Sequence, residues 1–206
     1  MCEAGAIGPL THLRGRYGHG GRPGYDREWR ADRAISGGGE LLDQGSHLID
    51  LAHWFLGGSF SSVQSCITTA FWDMPVEDNA FLLLQTRSGQ VAQLHASWTE
   101  WKNLFSFEVF GRYGKLEVNG LGGSYGVERL THYQMTEKMG PPDSTTWEWP
   151  GPDLSWEREL ADFAEDVRLG RSSSSDLSNA ISVLELIESI YAGTGTGQVR
   201  GAAAAT

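Results

Sequence analysis

The stretch Ser36-Gly37-Gly38-Gly39-Glu40-Leu41-Leu42-Asp43-Gln44-Gly45-Ser46-His47-Leu48-Ile49-Asp50-Leu51-Ala52-His53-Trp54-Phe55-Leu56-Gly57-Gly58 decides how this chain is read. It predicts one amphipathic helix. Ser36 is a candidate N-cap, since its hydroxyl can accept from an unpaired amide of the first turn. Gly57 suits the left-handed position that ends a helix. At about 3.6 residues per turn, Leu41, Leu48, Ile49, Ala52, Phe55 and Leu56 fall on one arc and form a core-facing stripe. Asp43, His47, Asp50 and Trp54 line the opposite side at spacings of four, three and four.

That second row carries the chemistry. Residues four apart on a helix are neighbours, so Asp43 can reach the His47 ring. A carboxylate beside an imidazole fixes its tautomer and lets it trade a proton with a hydroxyl near neutral pH. Spacing alone leaves two other readings open. One is an exposed polar face with an incidental pair. The other is a metal site built from Asp43, His47 and Asp50, all of which are able to ligate. The glycine run before the helix lacks the lysine of a phosphate-binding loop.

The pattern Gly37-Gly38-Gly39-x-Leu41-x-Asp43-x-Gly45-x-His47-x-x-Asp50-Leu51-x-x-Trp54-x-Leu56-Gly57 resembles the signature helix of the Gfo/Idh/MocA oxidoreductases, relatives of glucose–fructose oxidoreductase and inositol dehydrogenase. The resemblance implies an N-terminal Rossmann domain that binds NAD or NADP, and a C-terminal domain that carries the substrate site and the oligomer contacts. It implies that Asp43 and His47 act on the substrate, together with a lysine from a Glu-Lys-Pro segment. No Glu-Lys-Pro occurs in this chain. The glycine-rich segments 15–24, 120–126 and 193–197 do not open an apolar-periodic helix with an acidic residue one strand later, as a dinucleotide fingerprint requires. The first ten residues, with Gly5-Ala6-Ile7-Gly8, resemble the family just past its Rossmann domain. The expectation is a substrate half without its cofactor half. NAD or NADP would belong to the complete enzyme, no cofactor would be bound by this chain alone, and the Rossmann domain would be missing or separate.

Composition narrows the setting. The chain has 206 residues, 40% of them hydrophobic, with 8 Trp, enough for one domain with a sizeable core. A formal net charge of −10 argues against nucleic acid or an anionic membrane as partner. Cys2 and Cys66 do not make a disulfide framework. Residues 1–10 lack the features of a signal peptide, and no apolar run approaches the roughly 18 residues of a membrane span. These features predict a soluble cytoplasmic protein.

Before the helix, Leu10 to Tyr17 reads as a strand. The loop Gly18-His19-Gly20-Gly21-Arg22-Pro23-Gly24-Tyr25 follows. Loops on a rigid frame often carry binding groups, so His19, Arg22 and Tyr25 are candidates to reach a sugar or a phosphate. Trp29 and Arg30 come next, where the resembled family often places a Trp-Arg segment near its cleft. Arg30 offers a fork of donors to hydroxyls and oxyanions. Salt bridges to Asp26 or Asp32 are the competing use of that guanidinium. Trp29, Arg30, His19, Arg22 and Asp50 are the substrate-contact candidates, and no cofactor or metal ligands are assigned.

After Gly58 the period changes to two. Strands are expected over 63–71, 79–86, 91–101, 104–110 and 115–119, with another over 125–134. Ser88-Gly89 marks a hairpin. Residues 135–152 read as an irregular excursion with Trp147 and Trp149 packed beneath it. Helices are expected over 156–169, with Leu160, Phe163, Ala164 and Val167 facing the core, and over 179–191, with Ile181, Leu184, Ile187, Glu188 and Tyr191 near one stripe. Asp153 or Ser155 caps the first, and Asp176 or Ser178 the second.

Strands without intervening helices predict an α+β fold: a mostly antiparallel, open-faced sheet of about six strands with helices on one face. This matches the C-terminal domain of Gfo/Idh/MocA and glyceraldehyde-3-phosphate dehydrogenase-like proteins. Residues 1–197 form the domain, and 198–206 a flexible tail. The resemblance implies a homo-oligomer through the open sheet face. The favoured function is the substrate-binding half of an NAD(P)-dependent oxidoreductase acting on a hydroxyl of a sugar, nucleotide sugar or cyclitol, inactive without its cofactor half. Two alternatives stand beside it: a non-catalytic carbohydrate-binding or assembly module, and a metal-dependent hydrolase or lyase.

Overall fold

A computed structural model describes residues 1–57, 59–137, 139–172 and 177–193. Eight strands form one sheet: β1 (Leu10–Gly18), β2 (Phe60–Thr68), β3 (Asn79–Thr86), β4 (Val91–Ser97), β5 (Leu104–Gly111), β6 (Gly114–Asn119), β7 (Glu128–Gln134) and β8 (Asp143–Trp149). Their order is β2-β3-β4-β1-β5-β6-β7-β8. The β1–β4 pair is parallel and every other pairing is antiparallel. Alternation fixes which face each residue takes. Leu13, Leu82, Leu84, Ala92, Leu94, Ala96, Phe107 and Val109 are buried towards the helices.

The chain leaves β1 through two 3₁₀ turns, Tyr25–Arg27 and Trp29–Ala31, then α1 (Arg33–Ser36) and α2 (Glu40–Leu56). The α2 helix lies on β1, β3 and β4 and against α4 (Leu177–Tyr191). Its predicted stripe is the core: Leu41, Leu48, Ile49 and Ala52 are fully buried. Gly57 ends it in the left-handed conformation, φ 70° and ψ 28°, donating its N–H to the His53 carbonyl.

The start of the helix differs from expectation. Ser36 is not its N-cap. Asp32 caps the short α1, accepting from the Ala34 N–H at 2.9 Å, and Ser36 hydroxyl donates to the Asp32 carbonyl. Gly37 then turns the chain at φ 80°. Glu77, from the loop before β3, caps α2 instead: its Oε1 accepts from the Gly39 and Leu41 amides, both at 3.1 Å, and from the Tyr191 hydroxyl at 2.6 Å. A Cβ on Gly39 would stand 2.1 Å from the Glu77 carbonyl oxygen, so glycine is required by this close approach.

Other differences have physical causes. The sheet has eight strands rather than about six, because β8 lies inside the stretch read as irregular. Every β8 residue is exposed, so the strand lacks the apolar alternation that marks a half-buried one. Trp147 and Trp149 sit exposed on this edge strand rather than under a loop. The β2 strand stops at Thr68, because the Asp78 carboxylate takes the next free amides, Ala70, Phe71 and Trp72. The β4 strand stops at Ser97, where the Trp98 amide turns to the Asp78 carbonyl, and β7 begins at Glu128 rather than Tyr125.

The later helices also depart from prediction. Helix α3 (Ser155–Leu169) forms where expected, and Asp153 accepts from the Ser155 amide. Its apolar face is not in the core: Leu160, Phe163, Ala164 and Val167 are exposed. In α4, Ile187 is buried as expected, but Val183 and Ile190 complete the buried stripe, while Ile181 and Leu184 are exposed. The Asp176 cap and the tail 198–206 lie outside the described residues.

The face of the sheet away from the helices carries paired charges. Arg14, Glu108 and Glu117 stand in register across β1, β5 and β6. Arg14 bridges Glu108, and Lys115 reaches both Glu108 and Glu117 at 2.8 Å. The Arg14 hydrogen bonds hold the Glu108 carboxyl down at about 2.

Candidate functional site

The end of β1, the loop after it, both 3₁₀ turns and the first half of α2 close around a cavity of about 440 Å³. Asp43, Gln44 and His47 project from α2. Tyr17 comes from β1, His19, Gly21 and Arg22 from the loop, Tyr25, Glu28 and Arg30 from the turns, and Tyr125 from a 3₁₀ turn between β6 and β7. The helix supplies its three groups because Leu41, Gly45, Leu48 and Ile49 lock the opposite side onto the sheet.

Arg30 stands between two partners. Its Nε lies 3.4 Å from the Asp43 Oδ2, and its guanidinium stacks over the Trp29 ring at 4.4 Å. Such stacking fixes a planar cation without using its donors. Arg22 pairs with Glu28 at 2.7 Å. The cavity thus holds two guanidinium–carboxylate pairs, with donors and acceptors side by side, the arrangement that adjacent hydroxyls of a polyol satisfy.

The rings are ordered around these pairs. His19 Nδ1 accepts from the Gly21 amide at 3.0 Å, which leaves Nε2 as the protonated nitrogen, 3.5 Å from the Tyr25 hydroxyl. Burial lowers the His19 pKa, with the Asp43 charge opposing. Burial also raises the Tyr25 hydroxyl and pushes Tyr17 up to about 12, so both phenols are neutral donors at physiological pH. The Tyr17 ring centre is 6.0 Å from that of His47 and 5.4 Å from that of Tyr125, whose hydroxyl accepts from Gln44 Nε2 at 3.1 Å. His47 presents an exposed imidazole at the rim.

Beneath this floor lies Glu40, fully buried. Neither carboxyl oxygen has a hydrogen bond of ordinary geometry. Burial raises its pKa well above the usual carboxylate range, and the charges of Asp43 and Glu77 add to that. The Ser97 amide and the Trp98 indole N–H oppose it. Burial therefore favours the neutral form of Glu40, below an ionic site.

Of the residues proposed from sequence, Asp43, His47, Arg30, His19 and Arg22 meet in the cavity, and Trp29 reaches it through Arg30. Asp50 does not line it: one helical turn past His47, it is an exposed residue whose carboxylate acts on His53. The expected Asp43–His47 hydrogen bond is not present among the described residues, because the Asp43 carboxylate turns to Arg30 instead. The competing pairings of Arg30 are not used: Asp26 stands 3.9 Å from Arg27, and Asp32 caps α1. Among the described residues no three His, Cys, Asp or Glu side chains are grouped to hold a metal ion. Sequence reasoning missed Gln44, Glu28, Tyr17 and Tyr125. Gln44 had a signal, since it lies three before His47 on the same helix; the tyrosines depend on sheet topology.

At the glycine-rich start of α2 the Glu77 carboxylate takes the amides of Gly39 and Leu41. No helix among the described residues is long and apolar enough to cross a membrane.

Residues 1–117 match the GFO/IDH/MocA C-terminal domain family. Levoglucosan dehydrogenase from Pseudarthrobacter phenanthrenivorans is 26% identical over 144 residues, 57% of this chain and 37% of that protein. D-xylose 1-dehydrogenase (NADP(+)) 2 from Haloferax volcanii is 26% identical over 160 residues, 78% of this chain and 47% of its own length. The fold superimposes on aldose-aldose oxidoreductase from Caulobacter crescentus, crystallised with glycerol, with a TM-score of 0.75 at 24% identity, covering 93% of this chain and 55% of that one. The chain thus spans about half, or less, of the length of these proteins.

Proposed function

Because this chain belongs to the GFO/IDH/MocA C-terminal domain family, we propose that it is the substrate-binding half of an NAD(P)-dependent oxidoreductase acting on a hydroxyl of a sugar or similar polyol. The observation that carries the reading is the convergence of Asp43, His47 and Arg30 with His19, Arg22 and three tyrosines on one cavity. Relatives named for levoglucosan and D-xylose support the substrate class.

The residues divide the work as follows. Arg30 and Asp43 bind neighbouring hydroxyls and orient the ring, the guanidinium donating and the carboxylate accepting. His47, exposed at the rim, takes or returns the hydroxyl proton at a ring nitrogen. Tyr17, Tyr25 and Tyr125 donate from neutral phenols and bound the sugar with rings that shed water. The dinucleotide supplies the redox chemistry from outside this chain, whose own helix entry is filled by Glu77, so the chain alone binds sugar without redox turnover. The open face of the sheet pairs two copies, and Cys2 and Cys66, both free thiols, fit a cytoplasmic setting.

The test is calorimetry on this chain with D-glucose, D-xylose and levoglucosan, and with NAD and NADP titrated alongside. One of the sugars is expected to bind. Asp43→Asn should weaken that binding about tenfold, the scale of one charged hydrogen bond, and the dinucleotides should give no heat. Sugar binding that is absent, or unmoved by Asp43→Asn, overturns the assignment. Dinucleotide binding would place a cofactor site within this chain.

A further inference from the structure

Beside the cavity the surface carries aromatic rings that the proposed chemistry does not use. Phe71 is 55% and Trp101 79% exposed, and their ring centres lie 5.3 Å apart at 72°. Trp72 stands behind them, 5.0 Å from Phe71 and 5.6 Å from the cavity residue Tyr25. The backbone that carries Phe71 and Trp72 is fixed from beneath. The fully buried Asp78 carboxylate accepts from the amides of Ala70, Phe71 and Trp72 at 2.8 to 3.0 Å, and from Asn79 Nδ2 at 2.9 Å. The Trp72 indole N–H donates to the Trp98 carbonyl at 3.1 Å.

Trp101 is held at a cost. Its φ is 58°, the one positive φ outside glycine among the described residues. A bulky residue rarely takes this conformation, and strain of this kind tends to persist at functional surfaces. The strained backbone is packed against the cavity wall: a Cβ on Gly20 would stand 2.7 Å from the Trp101 Cα, and one on Gly21 2.6 Å from the Trp72 ring. Gly21 lines the cavity. The rings and the cavity therefore share one wall, the segment His19–Gly21.

We propose that Phe71 and Trp101 form a stacking platform for a second pyranose ring, so that the ligand is a disaccharide or glycoside whose first ring sits in the cavity. The proposal deepens the sugar reading of the cavity and rests on it. A pyranose has an apolar C–H face that releases water when laid on an aromatic ring, and hydroxyls on its edge that stay wet. Two adjacent exposed rings flanked by the exposed charges of Asp73 and Lys102 match that chemistry. A protein partner needs a broader apolar patch than two rings supply.

The test is calorimetry with D-glucose, cellobiose and maltose on the parent chain, Phe71→Ala, Trp101→Phe, Asp43→Asn and Trp101→Gly, the last a residue suited to the positive φ. One disaccharide is expected to bind about five- to tenfold more tightly than glucose, the scale of one good aromatic contact. Phe71→Ala and Trp101→Gly should abolish that advantage and leave glucose unchanged, and Trp101→Phe should keep most of it. Equal affinities in the parent, or an advantage that survives both deletions, overturns the platform. If glucose binds and Asp43→Asn weakens it while no disaccharide is preferred, the cavity reading stands and the platform falls. If Trp101→Gly abolishes disaccharide binding that Asp43→Asn leaves intact, the platform stands and the cavity reading falls. No binding of any of the three sugars ends both.

Discussion

Glu40 is the residue where physics and sequence pattern disagree most. It opens a helix, where a carboxylate is normally welcome, yet Glu77 already occupies that entry and Glu40 is forced under the cavity floor. In the unfolded chain it ionises near the ordinary carboxyl value of 4.5, whereas burial raises its pKa well above that in the fold. A folded pKa raised in this way contributes stability below pH 4.5, and the contribution is lost as pH rises towards the folded value, at about 1.4 kcal/mol per pH unit. Glu40→Gln keeps the shape and removes the titration. The variant should match the parent in chemical denaturation near pH 4.5, and be the more stable of the two at pH 8. Equal stability at pH 8 would mean that Glu40 is ionised and paired in the fold. At this scale the candidate site was partly legible. Helical spacing put Asp43 and His47 on one face, and the family resemblance made them and Arg30 candidates. Tyr17 and Tyr125 were not legible, because strand register and the path of a distant turn bring them in.

The helices show why local rules succeed along an element and fail at its ends. The buried stripe of α2 was readable because burial follows the 3.6-residue period. Its cap was not. The local choice was Ser36, and the true partner is Glu77, from a loop beyond the following strand. That long-range cap predicts a particular sensitivity. Gly39→Ala places a Cβ 2.1 Å from the Glu77 carbonyl oxygen, and backbone on both sides gives no easy relief. It should cost about 2 kcal/mol or more, seen as a lower denaturation midpoint, and should weaken sugar binding because Asp43 and Gln44 move with the first turn. Ala at Gly57, by contrast, meets no atom within 4 Å and costs about 1 kcal/mol for its left-handed backbone alone. If the two substitutions cost the same, packing against Glu77 does not matter. Helix α3 marks another limit of pattern reading. Its period was read correctly, but period states which face is apolar, not what covers it, and here Leu160, Phe163 and Val167 are exposed. For β8 the opposite held: with every residue exposed, the strand left no period to read.

At the scale of the molecule, one face of the sheet is covered by helices and the other is not. On the uncovered face, Phe81 and Leu83 are more than two-fifths exposed, at 44% and 43%. They sit across β4 from Arg14 and Arg16, which Gln93 and His95 join in register. The neighbouring charges are already matched within the chain, since Arg14, Lys115, Glu108 and Glu117 satisfy one another. A surface whose charges are internally paired loses less on desolvation than one with unpaired charges, and its projecting apolar side chains gain when a second copy covers them. This face should therefore carry the pairing of two chains. Leu83→Glu would bring an unpaired carboxylate from each chain into such an interface, without touching the core between sheet and helices. The parent is expected to elute as a dimer in size-exclusion chromatography with light scattering at micromolar concentration. Leu83→Glu should be a monomer with an unchanged far-ultraviolet circular dichroism spectrum, and with sugar binding within about twofold of the parent, because the cavity lies beyond the strands' far face. A monomeric parent, or a variant that stays dimeric, would show that the open face is not what joins the chains.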